Sequence, residues 1–277
     1  VGRFASAFAF LFTFALVLGA AGCGQRFDHL GVAQPPTDRE LASQALAALE
    51  GAGSAHVVVD AQGGSLSGTN VPLGVHFEGD VSRSAIVGDG EVRFPGGTLG
   101  ARALVGEHDA YVRFMGVWYR AGSGLADVLA KANGAGGDLV ADLMTPDGLG
   151  KRFADLFEGD VTEGPDIDGV ATWKFDGSLR GETVIRYSEQ YGHLKLTDND
   201  RALLRKVAEA SRLILVVGRD DHLPRRIELT LDPPKNLKFD SPEIASSAGP
   251  FAVKVELSNF GKDVSFSAPK DAKPLEA

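Results

Sequence analysis

One thiol, six imidazoles and a scatter of carboxylates are the groups in this sequence that could do chemistry, and their spacing excludes most reactions. A serine nucleophile needs a Gly-x-Ser-x-Gly turn to expose its hydroxyl, and Gly122-Ser123-Gly124 lacks that spacing. A phosphate loop needs Gly five residues before a Gly-Lys-Ser/Thr step, whereas Gly150-Lys151 is followed by Arg152 and preceded at that distance by Thr145. His29, His56, His76, His108, His193 and His222 show no ligand spacing such as i, i+4. Asp166-Ile167-Asp168-Gly169 begins like a calcium loop but lacks the sixth-position Gly and the closing Glu, so it reads as a turn entering a strand. Asp198-Asn199-Asp200 reads as a helix start, where carboxylates meet unpaired N–H groups. The expectation is a non-enzyme with no catalytic residue, no metal site and no cofactor.

Cys23 is different, because its setting is chemical. Residues 4–22 carry no charge, Phe8 to Leu18 is almost wholly apolar, and the run gives way to Gly19-Ala20-Ala21-Gly22 just before the sole cysteine. A short apolar region closed by small residues is the pattern of an export signal. Ala20-Ala21-Gly22-Cys23 resembles a bacterial lipobox, with Ala20 where Leu is usual. The resemblance implies that the Cys23 thiol is alkylated by diacylglycerol and becomes the first mature residue. A plain transmembrane anchor and an ordinary cleaved signal are the alternatives. Against the anchor, only Arg26 follows within fifteen residues, where a stop-transfer segment would carry a basic cluster. Arg3 is the one basic residue before the run, and a chain starting at Val1 reads as an alternative start codon or a clipped end.

The net charge is −9, one unit more negative without residues 1–22. That balance argues against nucleic acid, which demands a positive field, and against an electrostatic membrane anchor. With one Cys no intramolecular disulfide can form, so a hydrophobic core must hold the fold.

The elements that follow are read from periodicity. Residues 23–37, with Gln34-Pro35-Pro36, form a lipidated tether. A helix is predicted over Asp38 to Glu50, with Leu41, Ala45, Leu46 and Leu49 on its apolar side and Gly51 and Gly53 ending it. From His56 the period becomes two: Val57-Val58-Val59, Val75/Phe77, Ala85 to Phe94 broken by Gly88-Asp89-Gly90, Leu99 to Val105 and Ala110 to Arg120 form a meander. A helical interlude covers about Leu125 to Phe157, its best-marked piece opening at Thr145-Pro146-Asp147 and carrying Leu149, Phe153, Leu156 and Phe157. Trp173/Phe175 resume the strands, a last helix runs from about Asp200 to Ser211, and Leu213 to Val217 with Ile227 to Leu231 make a hairpin. Val253/Val255/Leu257 and then Val264/Phe266 close the sheet, and residues 270–277 are a tail. This order, without βαβ alternation, predicts an α+β fold: one antiparallel sheet with helices on one face, the other face wet at His76, Glu78, Lys174, Asp176, Glu228, Lys254 and Glu256.

Tyr111 to Gly122 (YVRFMGVWYRAG), a strand leading to a Gly-x-Trp step, and the closing Leu257-Ser258-Asn259-Phe260-Gly261-Lys262-Asp263-Val264 resemble the LppX/LprG family of actinobacterial lipoproteins. The half-barrel fold of that family is shared with the LolA and LolB carriers, and the order of elements agrees over residues 38–269. The resemblance implies a strongly bent antiparallel sheet with helices on its concave face and a hydrophobic cavity between them. It also implies a protein held at the outer face of the cell membrane through Cys23 that binds lipid or glycolipid and carries it across the envelope, with a membrane transporter as a compatible partner. Phe77, Trp173, Phe175, Ile227, Leu229, Val255 and Phe266 are expected on one apolar face, opposed by Phe153 and Phe157. Alternation alone does not separate a cavity wall from a filled core. A cavity would leave room for a larger side chain at Val255. An envelope sensor that binds another protein through the same fold is the alternative.

Overall fold

A computed structural model describes residues 34–65, 72–120, 146–190, 194–234, 237–240 and 250–274. The chain enters through helix α1 (Asp38–Ala52), two residues longer than the periodicity predicts. Thr37 caps it: the Thr37 hydroxyl accepts from the Glu40 N–H and the Glu40 carboxylate accepts from the Thr37 N–H. This reciprocal pair satisfies two donors that a helix start leaves open. Gly53, at φ 74°, ends the helix in the left-handed conformation.

Six strands follow as a meander: β1 (Ser54–Ser65), β2 (Pro72–Ser82), β3 (Ala85–Phe94), β4 (Gly97–Gly106), β5 (Ala110–Phe114) and β6 (Val117–Arg120). Helix α2 (Pro146–Leu156) leads into β7 (Phe157–Glu163) and β8 (Thr172–Leu179). Helices α3 (Gly181–Gln190) and α4 (Asp198–Glu209) precede β9 (Ser211–Gly218), β10 (Pro224–Leu231), β11 (Phe251–Ser258) and the two-residue β12 (Lys273–Pro274). All of them join one sheet in the order β12-β6-β5-β4-β3-β2-β1-β11-β10-β9-β8-β7. Every pairing is antiparallel except β12 with β6. The α+β architecture with a largely antiparallel sheet is the expected one.

Register gives the sheet two faces. Val59 lies opposite Phe77 and Val255, Val255 opposite Ile227, Ile227 opposite Leu215, and Leu215 opposite Phe175. That continuous apolar row marks the inner face. The outer face carries His76, Glu78, Lys174, Asp176, Glu228, Lys254 and Glu256, all on one side as the alternation predicts.

Helix α1 lies across the strands. Its C-terminal half, Leu46 and Leu49, packs with Val57, Val59, Val255 and Leu257 and reaches the near ends of β2 and β3 at Val81 and Ile86. Its N-terminal half, Leu41, Ala42 and Ala45, packs with Phe153 of α2 over Trp173, Phe175, Leu213, Leu215 and Val217. A third, smaller cluster joins Ile185 of α3 to Leu204 of α4.

The bend of the sheet has a local cause. Gly79 faces Gly88 across β2 and β3, and Gly159 faces Gly177 across β7 and β8. A Cβ on Gly79 would sit 2.5 Å from the Cα of Gly88, and one on Gly159 would sit 2.5 Å from the Cα of Gly177. Only glycine lets two strands approach so closely, and such pairs mark the corners of curved sheets.

Four local expectations change. Gly88-Asp89-Gly90 does not break β3, which runs unbroken from Ala85 to Phe94. Ala110 to Arg120 is two strands, turning at Met115-Gly116 with φ 48° and 82°. Phe157 opens strand β7 instead of closing a helix, because it pairs with Leu179. Residues 262–270 are not strand, so Val264/Phe266 add nothing to the sheet. The predicted helical stretch around Leu125, Thr145 at the opening of the piece that forms α2, and the anchor Cys23 lie outside the described residues. Among the described residues no helix is long and apolar enough to cross a membrane.

Candidate functional site

Among the described residues no three His, Cys, Asp or Glu side chains gather as metal ligands would. His56 and His76 are instead tied to carboxylates between β1 and β2: His56 Nδ1 lies 2.8 Å from Asp80 and His76 Nδ1 2.8 Å from Asp60. Directly opposed pairs of this kind stabilise an antiparallel ladder. Asp168 and Gly169, at φ 51° and 79°, form a tight turn between bridged Ile167 and Val170, the turn expected before the Trp173 strand. Asp200 closes a capping box with Thr197 at the start of α4, and its other oxygen accepts from the Asp240 N–H. These carboxylates position backbone.

Of the nine residues expected to line an apolar cavity, six share one cluster. Trp173 and Phe175 on β8 and Phe153 on α2 are buried, with Phe157, Ile227 and Leu229 packed against them. The Phe153 ring meets Phe175 edge-on at 4.9 Å and Phe157 at 5.1 Å, and Arg219 stacks over Trp173 at 4.2 Å. Val255 and Phe77 belong to the neighbouring cluster, which Ile227 bridges to the first. The Phe77 ring folds over Gly88, whose missing Cβ would lie 2.6 Å from it. Val255 is 3% exposed and shares a cluster with Leu46 and Leu49 of α1. One expectation fails here. Phe266 sits on the opposite face: its ring packs edge-on against Tyr111, which is in register with Leu104 and Val87 of the outer face. The chain crosses over after Asn259 and Gly261, both at positive φ.

The same inner face continues across β2 to β6, and there the packing changes. The described helices make most of their contacts with strands β1, β7, β8 and β10. Beyond Phe77, Val81, Ile86 and Val105, the inner-face residues of β2 to β6 belong to no core cluster among the described residues: Val92 and Leu99 are 40% and 46% exposed, while Val112, Phe114, Val117 and Tyr119 are half-buried. Between the ridge of Phe77 and the ridge of Val112 and Phe114 the floor is low, because Gly90 pairs with Ala101, and Ala103 pairs with Gly88. A Cβ on Gly90 would meet nothing closer than 3.8 Å. This trough was missed in the sequence, yet a signal was present: Gly88-x-Gly90 and Ala101-x-Ala103 put small residues at alternate positions of adjacent strands.

The two faces differ sharply in charge. On the outer face Asp176 accepts from Arg212 at 2.7 and 2.9 Å and from Lys174 at 2.9 Å. These bonds, led by Arg212 and opposed by partial burial, hold its carboxyl well below the usual range. Between α2 and α3, burial disfavours the ionised Asp155, but its hydrogen bonds from Arg186 and Tyr187 outweigh that and lower its pKa. An open groove of about 580 Å³ lies where the tether arrives, lined by Gln34 to Asp38 and Gly159 to Val161, and none of the nine residues borders it.

No family model matches the sequence, and no curated protein matches it either. Among solved structures, the chain is similar to the lipoprotein LppX of Mycobacterium tuberculosis, at 16% identity and a TM-score of 0.47, over 82% of this chain and 97% of that one. It is similar to LprF from Mycobacterium bovis at 16% identity and a TM-score of 0.45, over 85% of this chain and 99% of that one. A LolA superfamily protein from Nitrosomonas europaea aligns at 9% identity and a TM-score of 0.24, over 82% of this chain and 93% of that one.

Proposed function

We propose that this chain is a lipoprotein, held at the outer face of the cell membrane by a diacylglycerol on Cys23, that binds acyl chains of lipid or glycolipid and carries them across the envelope. The observation that supports the reading most is the apolar trough on β2 to β6, which no described helix covers, beside a half of the same face that described helices pack over. A folded domain gains nothing in its own stability from leaving Val92 and Leu99 exposed at 40% and 46% beside a Gly/Ala floor. Each methylene laid along such a floor gains about 0.8 kcal/mol, so one long chain binds without polar chemistry. Binding and not catalysis is the role that such a surface performs.

Native mass spectrometry of the purified protein checks this reading. Wild type should carry co-purified lipid, and Ala103→Trp, which raises the trough floor, should lose most of it while melting within a few degrees of wild type. Cys23→Ala should leave the membrane fraction and lose acyl labelling. Lipid-free wild type, or full occupancy in Ala103→Trp, would sink the assignment of the trough.

A further inference from the structure

Three large apolar side chains stand out among the described residues as exposed: Val92 at 40%, Leu99 at 46% and Met115 at 81%. They are not scattered. Val92 is the register partner of Leu99, and Ala101, the next inner-face residue of β4, pairs with Phe114, whose chain neighbour is Met115. All three therefore lie at one level, along the rim where the trough on β3 to β5 opens. Single exposed apolar residues need no explanation, but a row of them does.

The hairpin tip adds a second observation. Met115 and Gly116 both have positive φ, at 48° and 82°. A two-residue turn of this kind favours Asn, Asp or Gly at its first position. Met there places a flexible apolar side chain at the outermost point of the rim, against the local preference.

Charge supplies the third. On the outer side of the same hairpin Arg113 lies directly opposite Arg102 of β4 and opposite Trp118 of β6. Arg102 is taken by Asp89 at 3.3 Å and Arg93 by Glu91 at 3.3 Å. Arg113 has no ion-pair partner among the described residues. In a chain of net charge −9, a rim bearing exposed Met and Leu with a free Arg and a half-exposed Trp just behind it is a local reversal of sign. Apolar residues at the tip, with Trp and Arg one step back, match the depth order of a bilayer surface, where acyl chains lie beneath an interface that favours Trp and an anionic headgroup layer that attracts Arg.

We propose that the rim of Val92, Leu99 and Met115, backed by Arg113 and Trp118, docks edge-on into an anionic lipid surface and brings the mouth of the trough against the membrane. The proposal rests on the reading of the chain as a lipid binder, and gives that reading its loading geometry.

The test uses the mature chain, residues 23–277, with Cys23→Ala, so that neither an acyl anchor nor the apolar run of residues 4–22 contributes, and vesicles of phosphatidylcholine with or without phosphatidylglycerol. Trp118 and Trp173 are the two tryptophans, and Trp173 is buried at 4% exposure, so a change in emission reports Trp118. With anionic vesicles the emission should shift to the blue and be quenched by brominated acyl chains. Met115→Glu should weaken vesicle partitioning at least about tenfold and abolish the shift, and Arg113→Glu should weaken it only where phosphatidylglycerol is present. Both positions are exposed, so both variants should melt like the parent. No blue shift with the parent, or equal partitioning by parent and Met115→Glu, would overturn the docking, as would a vesicle-free dimer that Met115→Glu dissolves, since the rim then faces a second copy. Co-purified lipid measured on the same preparations separates the two ideas. Lipid present without a rim effect overturns docking and leaves the carrier reading standing, whereas a rim effect without lipid supports docking and removes the carrier reading.

Discussion

At Asp176 two cations converge on one carboxylate, and the pH behaviour of the outer face follows from it. Because Arg212 and Lys174 lower its folded pKa below the unfolded value near 4, the stabilisation is fully present above that pH and is lost as the pH falls toward the folded pKa. Both partners are partly exposed, so Asp176→Asn should cost only about 1 kcal/mol at pH 7. Denaturant titrations of the two proteins should draw together between pH 4 and pH 2, and a gap that stays constant would remove Asp176 from the acid response. On the inner face the decisive residue is Val255. Packed against Leu46, Leu49 and Val57, it should not accept Trp without a loss of about 1–3 kcal/mol, read as a fall in melting temperature. A Val255→Trp variant that melts like wild type would reopen the space beneath α1.

At the level of strands and helices, the paired glycines are the parts least replaceable by anything else. Phe77-x-Gly79 facing Gly88 on β2 and β3 is repeated by Phe175-x-Gly177 facing Gly159 on β8 and β7, each ring lying over the gap in side chains that its strand crossing requires. Gly88→Ala should therefore cost about 1–3 kcal/mol, whereas Gly90→Ala, two residues along the same strand with free space around it, should be neutral or slightly stabilising. Equal melting of the two variants would contradict the crease. The same glycines show where sequence reading stops. Gly88-Asp89-Gly90 has the composition of a turn, and only the partner strand reveals that it is a crease. Helix α1 was legible because its stripe from Leu41 to Leu49 and its closing glycines are local. Helix α3 was not, since Gly181 and Thr183-Val184-Ile185 favour strand, and what makes it helical is distant: Ile185 against Leu204, Glu189 with Arg201 and Glu182 with Arg205. Likewise the two faces of the sheet could be read from alternation, except at Phe266, which leaves the sheet before it packs. Which half of the inner face is filled could not, because that depends on where α1 crosses.

The whole molecule is two antiparallel meanders, β1 to β6 and β7 to β10, joined side by side by a single strand and bridged by α1. Helix α1 packs on both meanders, and no described helix reaches the trough on β3 to β5. Strand β11 also sets the order in which the protein can assemble. Within each half paired residues lie at most about 45 apart in the chain, the widest step being β8 with β9, but Val59 and Val255 are about 200 residues apart. Closing that loop costs about 2.7 kcal/mol more in chain entropy than closing one of ten residues, on logarithmic scaling. Each half can therefore fold quickly by itself, while the seam waits for the last part of the chain. Until residues 251–258 arrive, β1 and β10 each offer a bare hydrogen-bonding edge, the kind of edge that recruits other chains. β11 is the latch that retires both edges at once, and a chain truncated before it would have two halves and no means of keeping them from strangers.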